Sequence, residues 1–321
     1  MKTIRRLAYL ALVIGFAQVV FGAIVRITGS GLGCGDHWPD CYGSFTPAHG
    51  APTLLVEISH RYGAAALSLA IILLAVVAWS KRSEPGVGGR RGALRSSIVA
   101  VALVVVAAIF GAITVKMALN PFVVVTHLAI AMALLGVLVA TAVRTGGFGA
   151  AAIPGRHART FRSGRAAAGL TFLALVFGAL TANTPSAAVA CQGFPWCRSV
   201  VTGGTPLYIQ ITHRIIALLL LGHLIGLWFG VRKRGEARPI RSVAGVALSL
   251  VVLQILIAAA MVEMHLPPGL RSLHQAVGTA LWITVMVLTT LASASGSSDI
   301  ERIVYESPSR GEFATPEGVS T

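Results

Sequence analysis

Eight apolar runs, each about 20 residues long, are the feature that most restricts how this chain can fold. A helix of that length crosses the hydrocarbon core of a bilayer and satisfies its own backbone hydrogen bonds there. None of the runs is interrupted in the way that barrel strands would require. We predict transmembrane helices at residues 7–27, 56–79, 97–117, 123–143, 166–183, 207–231, 243–264 and 272–292. The expected fold is an all-α polytopic membrane protein with eight transmembrane helices.

The composition agrees with a membrane location. Of 321 residues, 55% are hydrophobic and 12% are charged, whereas soluble domains carry about 25% charged residues. Most of the 26 Lys and Arg residues lie in the termini and in the loops on one side of the predicted helices. Because such residues stay in the cytoplasm, we predict that both termini are cytoplasmic. The net charge of +15 then reflects topology and contact with anionic membrane lipid, so no nucleic-acid partner is expected.

The second half of the chain repeats the first. The Phe-Gly-Ala motif at residues 21–23 recurs at residues 177–179, and each half has four predicted helices. Because four is an even number, both halves enter the membrane from the same side and the repeat is parallel. We predict two tandem four-helix bundles, at residues 1–150 and 160–292. Residues 293–321 are rich in Ser, Gly, Glu and Pro, and we predict that they form a disordered cytoplasmic tail.

Four histidines occupy matching places in the two halves. His60 and His213 each precede an Arg near the start of the second helix, and His127 and His274 lie near the start of the fourth. Neutral imidazole is a ligand for iron or copper. Facing helices of a bundle can bring two such residues together, and a haem iron is the simplest metal held by two. Zinc would need more ligands. The alternative is that these histidines hydrogen-bond water or lipid headgroups.

The halves differ at a carboxylate. Glu57 stands three residues before His60, on the same helix face, whereas Gln210 stands three residues before His213. Glu57 is a candidate proton acceptor or a stabiliser of positive charge on a substrate. The alternative is a Glu in the first helical turn, stabilised by the helix dipole. Arg61 and Arg214 are candidates for pairing with haem propionates or with lipid phosphates.

All four cysteines lie in two loops on the predicted outer side. Thiols outside the cytoplasm tend to oxidise, so we expect the disulfides Cys34–Cys41 and Cys191–Cys197. A redox-active role for the first pair is the alternative, because its loop leads directly to Glu57.

Taken together, the eight spans, the tandem repeat, the four histidines, the Glu-x-x-His-Arg motif and the cysteine pairs resemble haem A synthase of the bacterial two-cysteine-pair type, over about residues 5–292. The resemblance implies an oxidoreductase of the bacterial cell membrane. It would oxidise a pyrrole-ring methyl group of haem O to a formyl group, giving haem A for terminal oxidases. Its haem sites and cysteine loops would lie near the outer face. The prenyltransferase that makes haem O is an implied partner, and the electron acceptor is unknown.

The resemblance also implies residue roles. Glu57 would be the catalytic acid. His60 and His127 would ligate the iron of the substrate haem O, with Arg61 beside them. His213 and His274 would ligate the iron of a permanent haem b cofactor, with Arg214 beside them.

Two other classes of protein use part of the same pattern. A di-haem b electron-transfer protein would use the four histidines but has no need of Glu57. An outer-face thiol or quinone oxidoreductase would explain the cysteines, but it usually has a closer Cys-x-x-Cys pair and would leave the histidines without a role.

Overall fold

The structure is a computed structural model that describes residues 1–45, 51–89, 92–153 and 157–293. Within these residues, eight helices are long and apolar enough to cross a membrane, which confirms the predicted fold class. They are α1 (Lys2–Ile27), α2 (Pro52–Ser80), α3 (Ala93–Lys116), α4 (Pro121–Arg144), α5 (Ala158–Asn183), α6 (Thr205–Lys233), α7 (Arg238–Glu263) and α8 (Pro268–Ser293). The loop before α6 contains a two-stranded antiparallel hairpin, β1 (Cys191–Gln192) and β2 (Ser199–Val200). Apart from residue 293, the predicted tail lies outside the described residues.

Most helices are longer than their apolar runs. The largest difference is in α5, which begins at Ala158 although its apolar run begins at residue 166. Arg159, Arg162 and Arg165 lie in its first turns. Long basic side chains keep their stems along the helix and extend their charges to the membrane interface, so helix continues where hydropathy has already fallen.

The helix packing is consistent with two tandem four-helix bundles. In the first half, α1 and α3 each pack against both α2 and α4, and the second half repeats this pattern with α5 to α8. The halves meet through α4 and α8, with further contacts of α1 on α8 and of α4 on α5. At this junction the buried Trp282 indole donates a hydrogen bond to the Met132 carbonyl, at 2.8 Å.

A charged cluster ties the loop between α6 and α7 to the start of α5. The buried Glu236 carboxylate accepts hydrogen bonds from Thr160 and from Arg234, and it lies 3.4 Å from His157 Nδ1. The first half has a counterpart, in which Glu84 pairs with Lys81 and with the amino terminus. That counterpart is much more exposed, since 40% of the Glu84 side chain is accessible and 5% of Glu236.

Replacing Glu236 with Ala should lower the free energy of unfolding by about 2 kcal/mol. The buried Thr160 hydroxyl and the Arg234 guanidinium would both lose their acceptor. Thermal unfolding in detergent measures the change, and Glu84→Ala is the matched exposed control. Equal effects of the two variants would contradict the assignment of a stabilising role to the buried cluster.

Candidate functional site

The four histidines lie at one end of the molecule, here called the histidine end, together with both cysteine loops. His60 and His213 are each eight residues past the first residue of α2 and α6. His127 and His274 are each six residues past the first residue of α4 and α8. At a rise of about 1.5 Å per residue, all four therefore lie roughly 9–12 Å inside their helices. Each is partly buried, so the four imidazoles lie within the bundles.

His213 and His274 face each other inside the second half. Their ring centroids are 6.5 Å apart and their planes are inclined by 78°. Metal–imidazole bonds are about 2 Å long, so two rings on opposite sides of one metal have centroids roughly 6 Å apart. The Nδ1 atoms of both rings are buried without a hydrogen-bond partner. Two rings at this centroid separation, each with an unpartnered nitrogen, fit an iron ligated by two imidazoles.

The first half carries His60 and His127 at the matching places on α2 and α4. His60 lies beside Phe21, with ring centroids 6.0 Å apart, and it contacts the Gln18 amide. His127 Nδ1 is buried without a hydrogen-bond partner. Among the described residues, no group of three or more His, Cys, Asp or Glu side chains could hold a metal. A metal in this part of the chain would therefore have at most two such side chains as ligands.

The repeated Phe-Gly-Ala motif makes room for two of these rings. A Cβ atom at Gly22 would lie 3.1 Å from His60 Cε1, and one at Gly178 would lie 3.0 Å from His213 Cε1. These distances are tighter than ordinary van der Waals contact. Glycine at these positions lets the first helix of each half pass directly against the imidazole of the second.

Glu57 anchors the first cysteine loop. Only 4% of the residue is exposed. One carboxylate oxygen accepts the Cys34 backbone N–H at 2.9 Å, and the other accepts a hydrogen bond from Arg61. Because α2 begins at Pro52, Glu57 lies beyond the first turn, so the alternative of a first-turn residue stabilised by the helix dipole is wrong.

Gln210 anchors the second loop in the same way. Its Oε1 accepts the Cys191 backbone N–H at 2.6 Å, and its Nε2 donates to the Ala188 carbonyl at 3.1 Å. An amide thus provides the anchoring that Glu57 provides in the first half. What distinguishes the two positions is the negative charge.

Arg61 and Arg214 bind the same loops. Arg61 donates to the carbonyls of His37, Pro39 and Asp40 at 2.8–3.1 Å. Arg214 donates to the carbonyls of Gly193 and Cys191 at 2.9 and 3.0 Å. Both guanidinium groups therefore fasten a loop to the helix that carries His60 or His213.

Both cysteine pairs are joined as disulfides in the structure, Cys34–Cys41 and Cys191–Cys197. Cys34, Cys41 and Cys191 are almost completely buried. Each closed loop also carries the backbone N–H that Glu57 or Gln210 accepts. The cysteine loops thus form a cover over the histidine end of each half.

The first cover depends on one glycine. A Cβ at Gly33 would lie 2.5 Å from the Thr53 carbonyl oxygen. We expect Gly33→Ala to lower the free energy of unfolding by about 2 kcal/mol, because neither backbone segment can move without breaking the loop contacts. Thermal unfolding and limited proteolysis of the loop measure this. Gly203→Ala is the control, since a Cβ there meets nothing within 4 Å; equal behaviour of the two variants would contradict the prediction.

Several contacts at this end escaped the sequence analysis. The ends of α3 and α7 pair with the loops through charges of opposite order, with Lys116 3.6 Å from Asp36 and Glu263 bound to Arg198. Gln18 and Gln254 contact His60 and His274. Each glutamine could have been noticed as a polar amide within an otherwise apolar run. Neither has a counterpart in the other half, so the repeat does not reveal them.

The fold and site define a class of polytopic membrane proteins in which each half has four helices, a histidine on the second and on the fourth of them, and a disulfide-closed loop. Residues 5–286 match the COX15-CtaA family model, described as cytochrome oxidase assembly protein. The chain belongs to this family.

Curated relatives match over most of the chain. It is 26% identical over 290 residues to a haem A synthase of Lysinibacillus sphaericus, covering 87% of this chain and 91% of the relative. It is 30% identical over 234 residues to a haem A synthase of Bacillus pumilus, covering 68% and 71%. A haem A synthase of Listeria welshimeri is 27% identical over 301 residues, covering 89% and 94%.

Proposed function

We propose that this protein is a haem A synthase, which oxidises a pyrrole-ring methyl group of haem O to a formyl group. The observation that carries the proposal is the facing pair His213 and His274, with ring centroids 6.5 Å apart and unpartnered ring nitrogens. Membership of the cytochrome oxidase assembly family and the relatives named haem A synthase support it.

The two halves take different haems in this proposal. His213 and His274 hold the iron of haem b, and His60 and His127 hold the iron of haem O. Haem b supplies electron transfer when bound. The assignment is supported by the Glu57 and Gln210 difference, since the first half has Glu57 where the second half has the neutral Gln210.

Glu57 acts on the substrate side. Conversion of a methyl to a formyl group takes two successive two-electron oxidations and adds one oxygen atom, and with water as its source the conversion also releases protons. Glu57 accepts a proton or stabilises positive charge that develops on the substrate. Arg61 donates to the carboxylate and to three loop carbonyls, and so holds Glu57 in place.

The site lies on the outer side of the membrane in this proposal. The support is the excess of Lys and Arg in the termini and in the loops away from the histidine end. Haem O enters from the membrane, and the prenyltransferase that makes it is the proposed donor. An electron acceptor outside this chain completes the reaction.

The deciding experiment expresses the protein in a host that makes haem O but lacks haem A synthesis. Extracted haems are then separated by chromatography. Haem A should appear with the wild-type protein and not with an empty vector. Unchanged haem O, together with haem b bound to the purified protein, would instead support a di-haem electron-transfer protein.

A further inference from the structure

One histidine of each pair contacts a glutamine amide. In the second half, Gln254 Nε2 lies 3.1 Å from His274 Nε2 and donates a hydrogen bond to the His274 backbone carbonyl at 3.0 Å. In the first half, Gln18 Nε2 lies 2.9 Å from His60 Nδ1 and donates to the His60 carbonyl at 2.6 Å. Each amide therefore contacts both the backbone carbonyl and the ring of one histidine on the neighbouring helix.

Each glutamine has space made for it by a glycine one turn beyond the histidine. A Cβ at Gly63, three residues after His60, would overlap Gln18 Oε1. A Cβ at Gly278, four residues after His274, would lie 3.1 Å from Gln254 Nε2. The glutamine, the glycine and the histidine form one packed unit in each half.

The unit is absent at the other two histidines. The position matching Gln18 is Ala174, four residues before Gly178, and the position matching Gly63 is Ile216. Likewise, Ala107 and Ala131 stand where the second half has Gln254 and Gly278. The glutamine and the glycine are thus present together or absent together, as expected if the glycine makes space for the glutamine. The unit sits on the α2 histidine in the first half but on the α8 histidine in the second.

We propose that Gln18 and Gln254 are positioning residues, each orienting one of the two axial histidines of its haem. This rests on the proposed function. The backbone hydrogen bond fixes the amide beside the ring, and Gln254 Oε1 is buried without a partner. In the structure the amide Nε2 faces the ring nitrogen, so the amide must turn for Oε1 to accept the ring N–H. The other ring nitrogen then binds iron. Such a contact fixes ring rotation and strengthens the ligand. Each haem then has one ligand held by a glutamine, His60 or His274. The ring of the other ligand hydrogen-bonds a backbone group instead, of Ala107 for His127 and of Ala174 for His213.

The test replaces each glutamine with methionine, which keeps the length and removes the hydrogen bonds. Gln254→Met should weaken haem b binding about tenfold and shift the electron paramagnetic resonance signal of the ferric haem. Gln254→Glu, which keeps an acceptor, should restore that signal. Gln275→Met is the matched control, because Gln275 also lies on the histidine end of α8 but contacts Thr279 and no imidazole.

Gln18→Met separates this inference from a folding defect, because it should weaken haem O binding and leave the haem b signal unchanged. Wild-type haem b affinity and signal in Gln254→Met would overturn the inference. Equal effects of Gln18→Met and Gln254→Met on haem b would also overturn it. Haem b affinity is measured without turnover. A wild-type protein that holds haem b but makes no haem A would therefore count against the proposed function alone.

Discussion

Haem A formation should fall by about 100-fold or more when Glu57 is replaced with Gln, while the fold stays intact. The second half supplies the reason. Gln210 already accepts the Cys191 N–H in the same place, so an amide can anchor a cysteine loop. The substitution therefore removes the charge and keeps the anchor. Haem A per mole of enzyme, together with thermal unfolding, measures the two effects separately.

Gln210→Glu is the mirror control. It adds a carboxylate to the half that carries His213 and His274, and it should leave haem A formation far less affected than Glu57→Gln does. If Glu57→Gln made haem A at the wild-type rate, Glu57 would have only the loop-anchoring role. If instead the first cysteine loop came away from α2 in the variant, Gln could not replace Glu57 as the anchor of that loop.

Replacing His213 with Ala should remove bound haem b from the purified protein. Loss of an iron ligand should exceed the roughly 10- to 100-fold weakening that follows loss of a supporting residue. The haem b content and the bis-imidazole absorption spectrum measure the change. His223→Ala is the matched control, because His223 lies on the same helix α6 but is 2.9 Å from the Ser163 carbonyl and belongs to no pair.

The companion variant His60→Ala should keep haem b and lose haem O binding. A His213→Ala protein with a full bis-imidazole haem b spectrum would contradict the assignment of the cofactor to the second half. Haem b loss in His60→Ala, with none in His213→Ala, would show that the two halves hold the opposite haems.

The helices could be predicted from sequence because a bilayer imposes a minimum apolar length on each of them. The ends of the helices could not be predicted in this way, because a helix can continue into residues that are no longer apolar. Arg159 at the start of α5 shows this, since its charge ends the apolar run but the helix includes it. The start of α2 matters more for the site. The apolar run begins at residue 56 but the helix begins at Pro52, so Glu57 lies beyond the first turn.

The repeat makes the histidines recognisable as two matching sets from the sequence alone. It also concealed Gln18 and Gln254, which break the repeat and lie on helices without an iron-ligand candidate. The anchoring role of Glu57 was beyond sequence reasoning for a different reason. Its partner is the backbone N–H of Cys34, and a backbone group leaves no mark on the sequence.

The opposite order of charges at the ends of α3 and α7 gives the two cysteine loops opposite charge preferences. Lys116 meets Asp36 in the first half, whereas Glu263 meets Arg198 in the second. A graft of the second loop onto the first half would set Arg198 against Lys116, and the reverse graft would set Asp36 against Glu263. Each loop therefore carries the charge that complements the helix end of its own half.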